Sequence, residues 1–508
     1  MTRFPIALGT VLALCSACST GGGGGSTNST NGTTGGNGTG DGGLFTAVAA
    51  DTADAGMQGL PIAMAVGPGD QVGVAYFRPS GSSLAPTGDA GGRIDYSVMY
   101  LELRGGAVTR APSQIAVVQN QDGLTINFDQ QGNPVVGFLG GGAYFYDGGY
   151  PVDAGPDTTG SLYWLQSQPA LAYGQSDGGW NLQVCMQDST AMGAFTWTVI
   201  GGDGMPDQSA MQLINEGNVV GLWPSLLFDG GTAIMAYRDV HFGQFPIQDW
   251  AASDIKLCQG TPPNWTSWSA PMTIDASGGH KSGGYGSHDQ MIFGQNGALA
   301  VLCDSDQTGQ GAVDADGENA WFVQQNLGSW TSTTADWSLP INPFNPKNTE
   351  ADILVNTQTG PQMAYNSTFG YSVVAVDTAP PLGAGAAALY YVSSSDGQTW
   401  SNRQTVFSLG SGGFYPSIAD DPVSGNPNIV YTICSGSPGV LPAPDGACDA
   451  PELDLVVVGT NPPNWEANTT TISNQAVFMP KIAFLSTDQI VIAYRDLNTG
   501  AVYVAFQN

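Results

Sequence analysis

Four segments of this chain share one plan. A Pro opens each, apolar residues alternate up to a polar turn rich in Gly, Asp, Ser and Thr, and a second alternating run closes on Tyr. They are LPIAMAVGPGDQVGVAYFR (Leu60 to Arg78), WPSLLFDGGTAIMAYRD (Trp223 to Asp239), YPSIADDPVSGNPNIVYT (Tyr415 to Thr432) and MPKIAFLSTDQIVIAYRD (Met479 to Asp496). Pro61, Pro224, Pro416 and Pro480 open them; Tyr76, Tyr237, Tyr431 and Tyr494 close them. Period-two alternation around turn residues predicts β-hairpins. Weaker copies run from Gly123 to Leu139, His288 to Asp304 and Glu350 to Asn366.

A third strand follows most hairpins, often from an acid, as in DYSVMYLEL, DIKLC, ENAWFV and DLVVV. A turn with Trp and a fourth strand come next. This explains an echo across the chain: DIKLCQGTPPNW (Asp254 to Trp265) and DLVVVGTNPPNW (Asp454 to Trp465) are the third strand and outer turn of two repeats. The Trp is expected to cover the outer edge of the packing. Four strands recurring at about 60 residues predict an all-β chain folded as a β-propeller of four-stranded blades. Seven blades are counted, and the stretch Gly140 to Asn218 leaves six or eight open. The last repeat, GAVYVAFQN, stops three strands in, and LFTAVAAD (Leu44 to Asp51) can supply the fourth. Closure by an N-terminal strand removes the exposed sheet edge.

Composition agrees. Charged residues make up 11 % of the 508, with 72 Gly and 32 Pro, which favours strands joined by many turns. The net charge is -30, so the surface repels phosphate backbones and nucleic acid is not expected as a partner. The acidity suits solubility outside a cytoplasm, with cation binding the functional rival.

The first residues give an address. MTRFPIALGTVLALCSAC has one Arg and then an apolar run too short to span a bilayer, which reads as an export signal. Its LCSAC ending resembles the lipobox of bacterial lipoproteins: Ser16 and Ala17 suit the peptidase pocket and Cys18 becomes the acylated residue. It departs from the family pattern in having Cys15 where Leu is preferred. The resemblance implies a signal peptide over 1–18 and a membrane anchor through lipid on Cys18, stable with two or more acyl chains. It places the chain in a bacterial cell envelope as an outer-membrane lipoprotein, on either the periplasmic or the surface side. Residues 19–43 carry no hydrophobic side chain and read as a flexible tether with a reach of roughly 25–30 Å. The propeller is expected over 44–508.

SSSDGQTW (Ser393 to Trp400) resembles the Asp-box of sialidase-like propellers, shortened by one residue. The resemblance implies a fold-stabilising turn formed by Ser394, Asp396, Gly397, Thr399 and Trp400. The Asp bonds backbone N–H groups and the Trp packs beneath. SDGGW (Ser176 to Trp180) is a fainter copy. The hairpins are also similar to those of predicted bacterial surface propellers without an assigned activity.

Seven Cys are present. Cys434 and Cys448 bracket a Pro/Gly loop, and export favours a disulfide there. Cys185, Cys258 and Cys303 lie in or at the ends of strands; an odd number leaves at least one thiol, read as a small buried hydrophobe.

Candidate binding residues fall where second strands end and first strands begin: Arg78, Arg238, Arg495, His288, Asp289, Asp304, Glu350 and Asp352, with Lys481 nearby. Three Arg and a Tyr resemble sialidases, which grip an acidic sugar with three Arg and use a Tyr nucleophile. YFRP (Tyr76 to Pro79) only faintly matches their motif. The rival reading makes each Arg a local structural partner, and Arg78 faces away from Arg238 and Arg495 if position after the Tyr is the guide. DADGEN (Asp314 to Asn319) is a candidate Ca2+ loop without an EF-hand's spaced ligands. No other cofactor is expected, and the residues specify neither a catalytic set nor a metal site. The reading favoured by the sequence is a recognition module for a glycan, an envelope polymer or a protein. A sialidase-like glycoside hydrolase and a structural envelope scaffold are the alternatives.

Overall fold

The computed structural model describes residues 44–52, 60–79, 96–118, 123–140, 159–163, 168–175, 179–184, 194–198, 211–213, 218–241, 253–261, 265, 267–274, 285–305, 319–326, 336–346, 360–377, 388–407, 412–434, 451–457, 469–473, 477–496 and 499–508. The chain starts with β1 (Phe45–Asp51). Blade 1 is β2 (Ile62–Gly67), β3 (Gln71–Pro79), β4 (Tyr96–Arg104) and β5 (Ala107–Val118), hydrogen-bonded in that order. Then come β6 (Leu124–Phe128), β7 (Pro134–Gly140), β8 (Thr159–Tyr163), β9 (Gln168–Gly174), β10 (Trp180–Val184), β11 (Ala194–Thr198) and β12 (Met211–Leu213). Of these, β6, β7, β9 and β10 make blade 2, while β8, β11 and β12 form a small separate sheet.

Blade 3 is β13 (Asn218–Asp229), β14 (Thr232–His241), β15 (Ser253–Gly260) and β16 (Met272–Thr273). Blade 4 is β17 (Tyr285–Phe293), β18 (Leu299–Ser305) and β19 (Asn319–Gln324), with bridges Phe322 to Ile341 and Gln325 to Trp337 along its outer edge. Blade 5 is β20 (Gln362–Asn366), β21 (Gly370–Asp377), β22 (Ala388–Ser394) and β23 (Gln404–Phe407). Blade 6 is β24 (Gly412–Asp420), β25 (Pro427–Cys434), β26 (Pro451–Val457) and β27 (Thr470–Ser473). Blade 7 is β28 (Val477–Phe484), β29 (Ile490–Asp496) and β30 (Val502–Gln507), completed by β1, which pairs antiparallel with β30 from Phe45–Gln507 to Asp51–Val502. The first strands touch in the order β2, β6, β13, β17, β20, β24, β28 and back to β2. The fold is a seven-bladed propeller sealed by strands from both ends.

The count of seven holds: within Gly140 to Asn218, ALAYG and Trp180–Val184 are the third and fourth strands of blade 2, and β8, β11 and β12 add a side sheet, not an eighth blade. One sequence expectation changes. The blade 5 hairpin is displaced. Gln362–Asn366 is a first strand paired with Gly370–Asp377, not the second strand of a hairpin begun at Glu350. Its turn, STFG, lacks the Asn-Gly or Asp-Gly signature, whereas the earlier NTQTG looked more like a turn.

Second strands are apolar on both faces because a blade lies on each side. In β21, Val373 and Ala375 pack towards blade 4, and Val374 and Val376 pack towards blade 6. An aromatic seam closes the outer layer. The outer Trp of one blade meets a third-strand aromatic of the blade before it: Trp180 on Tyr100 at 5.0 Å, Trp265 on Tyr173 at 5.0 Å, and Trp400 on Phe322 at 5.1 Å between ring centroids. Trp265 also donates from Nε1 to the Gly231 carbonyl at 2.9 Å, so the repeated PPNW turn is a packing device where it is described.

The Ser394 to Trp400 turn is built on one carboxylate. Asp396 Oδ1 accepts from Gln398 N–H at 2.8 Å, Thr399 N–H at 2.7 Å and Ser394 Oγ at 3.0 Å. These bonds hold its pKa below the usual carboxylate value. Gly397 sits at φ +70°, and a Cβ there would collide with Gln324 of blade 4.

Cys258 and Cys303 are buried in strands, as small apolar side chains would be. Cys434 ends β25, but Cys448, and with it the expected disulfide, lies outside the described residues, as do Cys18, Cys185 and most of the DADGEN segment.

Candidate functional site

Four first strands carry the same irregularity. In blades 3, 4, 6 and 7 two residues oppose one on the second strand: Trp223–Pro224 against Tyr237, His288–Asp289 against Cys303, Tyr415–Pro416 against Tyr431, and Met479–Pro480 against Tyr494. These are β-bulges, which re-aim side chains at the rims of closed sheets. The leading residue of each is left-handed: Trp223 at φ +45°, His288 at +53°, Tyr415 at +52° and Met479 at +45°. Such backbone costs of order 1–3 kcal/mol for a non-Gly residue. Blades 2 and 5 place Gly123 and Gly360 at the corresponding point, also at positive φ. A Cβ on Gly123 would overlap the Trp223 backbone, and one on Gly360 would overlap His288 Cβ. The left-handed residues of neighbouring blades therefore pack side by side at the end of the ring where the first strands begin.

The register fixes what each candidate residue does. Two positions after the leading bulge residue, a side chain clasps the next blade. Thr125 Oγ1 accepts from Leu226 N–H at 3.3 Å, Ser225 Oγ from Met291 N–H at 2.9 Å, and Ser417 Oγ from Ile482 N–H at 3.3 Å. Gln290 bonds both the N–H and the carbonyl of Met363. Blade 7 holds Lys481 there; burial pushes its ammonium down to about 8.

Arg238 and Arg495 follow the tyrosines opposite the bulges and are 2 % and 3 % exposed. Arg238 lies 5.4 Å from the Trp223 ring, and Arg495 donates from Nη2 to the Phe77 carbonyl at 2.7 Å and sits over Tyr76. Burial pushes Arg495 down to about 10. Arg78 turns the other way, towards blade 7, and pairs with Asp51 of β1. Tyr76 also donates to Asp51, and burial together with that carboxylate raises its hydroxyl pKa. Arg78 and Arg495 thus belong to the seam where the ring is sealed, while Arg238 belongs to blade 3.

Blades 3 and 4 carry a second polar group. Asp239 pairs with Lys256 at 2.6 Å. His288 Nδ1 lies 3.1 Å from Asp304 Oδ2, and the His288 side chain is 19 % exposed. The Trp223 and His288 rings are 5.4 Å apart, tilted by 37°. Asp289 is buried where five of the other six blades have Pro. The sequence marks Trp223 only as the start of a hairpin; its place before the Pro of a repeat, in a position held elsewhere by Leu60, Gly360, Tyr415 and Met479, is the signal for it. Glu350 and Asp352 lie outside the described residues. Among the described residues no three His, Cys, Asp or Glu side chains gather to hold a metal ion.

At the opposite end, Asp420 interrupts another repeat. Five positions beyond the leading bulge residue, blades 2, 3, 4, 5 and 7 have Phe128, Phe228, Phe293, Tyr365 and Phe484, and blade 6 has Asp420. Burial pushes its carboxyl up to about 7. The folded state therefore holds a proton that the unfolded state has lost between about pH 4 and 7, and stability falls as pH rises through that window. Asp420→Asn is expected to raise the unfolding temperature at pH 8 and leave it nearly unchanged at pH 4, as read by thermal melts at both pH values.

No protein-family model matches the chain and no curated protein matches it. Solved structures similar to it include the NanB sialidase of Streptococcus pneumoniae, 12% identical over 92% of this chain and 71% of that one, with a TM-score of 0.41. The α-L-arabinanase of Penicillium chrysogenum complexed with arabinobiose is 12% identical over 92% and 96%, with a TM-score of 0.35. A protein of unknown function from Dyadobacter fermentans is 8% identical over 91% and 97%, with a TM-score of 0.40. Likeness at this level assigns no activity to the chain.

Proposed function

We propose that the protein is a recognition module of the bacterial envelope, held by lipid on Cys18 and a Gly-rich tether, that binds a glycan, a surface polymer or a protein at the bulged end of its propeller. The observation that carries this reading is the set of left-handed bulges, which commit strained backbone to presenting Trp223 and His288 at that end. Binding fits better than catalysis. The Tyr76 hydroxyl is engaged by Asp51 inside the closing seam. Arg78 and Arg495 are occupied by Asp51 and the Phe77 carbonyl.

The test is a glycan array probed with the full chain in detergent, followed by chromatography of any bound glycan. Selective binding without products is the expected result. Release of sugar would instead establish a glycoside hydrolase. A blank array together with no partner in envelope crosslinking would remove the recognition reading and leave a scaffold.

A further inference from the structure

We infer that the Trp223–His288 pair is a stacking platform for a neutral, polyhydroxylated sugar ring, with Asp304 as a hydroxyl acceptor. This rests on the recognition reading and names its ligand class. Three observations place the site on blades 3 and 4. First, the repeat breaks there in one direction: among the bulges, these blades carry a partly exposed indole and an imidazole, while Tyr415 is buried and Met479 packs against the cores of its neighbours. Second, the flanking blades have Gly123 and Gly360 in the matching positions, so neither of those positions adds a side chain against the two rings. Third, Asp304 is fully buried; Oδ2 meets His288, and Oδ1 has no hydrogen-bond partner among the described residues. A buried carboxylate oxygen with an open lone pair is costly and calls for a donor.

The chemistry of the surroundings selects the ligand. Aromatic faces stack on the apolar C–H face of a pyranose, and carboxylates accept its hydroxyl protons. Asp239, Asp254, Asp289 and Asp304 outnumber Arg238 and Lys256, and Lys256 is already held by Asp239. A uronate or sialate carboxylate would meet like charge, so acidic sugars are disfavoured.

The experiment uses the full chain in detergent on an array of neutral oligosaccharides (cellobiose, maltose, lactose and chitobiose series) beside galacturonate and sialyl-lactose. Trp223→Ala, Trp223→Phe and Asp304→Asn are compared, with thermal melts as the folding control. The expected result is binding to one neutral series, weakened at least tenfold in Trp223→Ala and Asp304→Asn and no more than about threefold in Trp223→Phe, which keeps the stacking face. Unchanged neutral binding in both Trp223→Ala and Asp304→Asn would overturn the platform while sparing the recognition reading. Binding confined to acidic glycans would do the same. A blank array on folded wild type would also overturn it, and crosslinking to an envelope protein would then show whether recognition itself survives. Should Trp223→Ala fail to fold, Asp304→Asn against Trp223→Phe decides.

Discussion

Deleting residues 44–51 is expected to abolish the cooperative unfolding transition of the protein. Those residues are β1, the strand that completes blade 7 after 450 residues of intervening chain, and the deletion leaves the whole edge of β30 unpaired. The loss is more than a ladder. Val48 and Ala50 pack into the core shared by blades 7 and 1. Asp51 receives Arg78 and Tyr76, so its removal strands a buried hydroxyl and an arginine beside the already buried Arg495. Arg78 is 26 % exposed, so this pair costs less to break than the about 3–5 kcal/mol of a fully buried one. Net stabilities of domains are about 5–15 kcal/mol, so the pair and the lost packing together approach the total. The exposed edge then favours aggregation. Circular dichroism melts and light scattering read both effects, and a synthetic peptide spanning residues 44–52 is expected to restore the transition when added in excess. A deletion variant that melts cooperatively near the wild-type temperature would show that closure does not hold the ring.

Trp400→Ala is expected to cost about 3–5 kcal/mol, the range for truncating a large buried aromatic. Trp400 is 6 % exposed and lies edge-on to Phe322 of blade 4, in a cluster with Tyr371, Tyr390 and Val392. Its loss opens a cavity between blades 4 and 5 that the strands on either side cannot collapse into. Trp400→Phe is expected to cost less, because the indole N–H is buried without a hydrogen-bond partner among the described residues and its removal relieves that burden. Leu339→Ala, at a 69 % exposed position, is the matched control and is expected to stay within about 0.5 kcal/mol. Denaturant melts of the three variants order them, and equal midpoints for Trp400→Ala and Leu339→Ala would mean the outer aromatic seam does not bear on stability.

Much of the ring was legible because its second strands face a blade on either side. That requirement forces apolar residues at nearly every position, as in Val373 to Val376, and the hairpin turns punctuate them. Closure was legible from the missing fourth strand after β30. Blade 5 was misplaced because a polar stretch before Gln362 mimics a turn, and nothing in STFG announces the real one. The site was only partly legible. Charged residues at strand ends stand out in a chain with so few, which makes Arg238, His288, Asp289 and Asp304 candidates. Their roles were not legible, because His288 and Asp289 form a bulge, which adds a residue to one strand and inverts the alternation beyond it. Arg78 and Arg495 lie on unbulged second strands, and their opposite facing follows the offset from Tyr76 and Tyr494 in the sequence, each turned towards the other's blade. A left-handed φ before Pro is invisible, since the residue before Pro ordinarily prefers extended backbone.

The central claim is that recognition occurs at the bulged end of the ring. Hydrogen exchange of the full chain, with and without the glycan or partner that the binding screens select, tests it most directly. The account predicts slowed exchange over residues 219–225, 236–239 and 288–291 on binding, with the hairpin turns at the other end, residues 366–370 and 421–425, unchanged. Protection confined to those turns would contradict it and would move the binding face to the opposite end of the propeller.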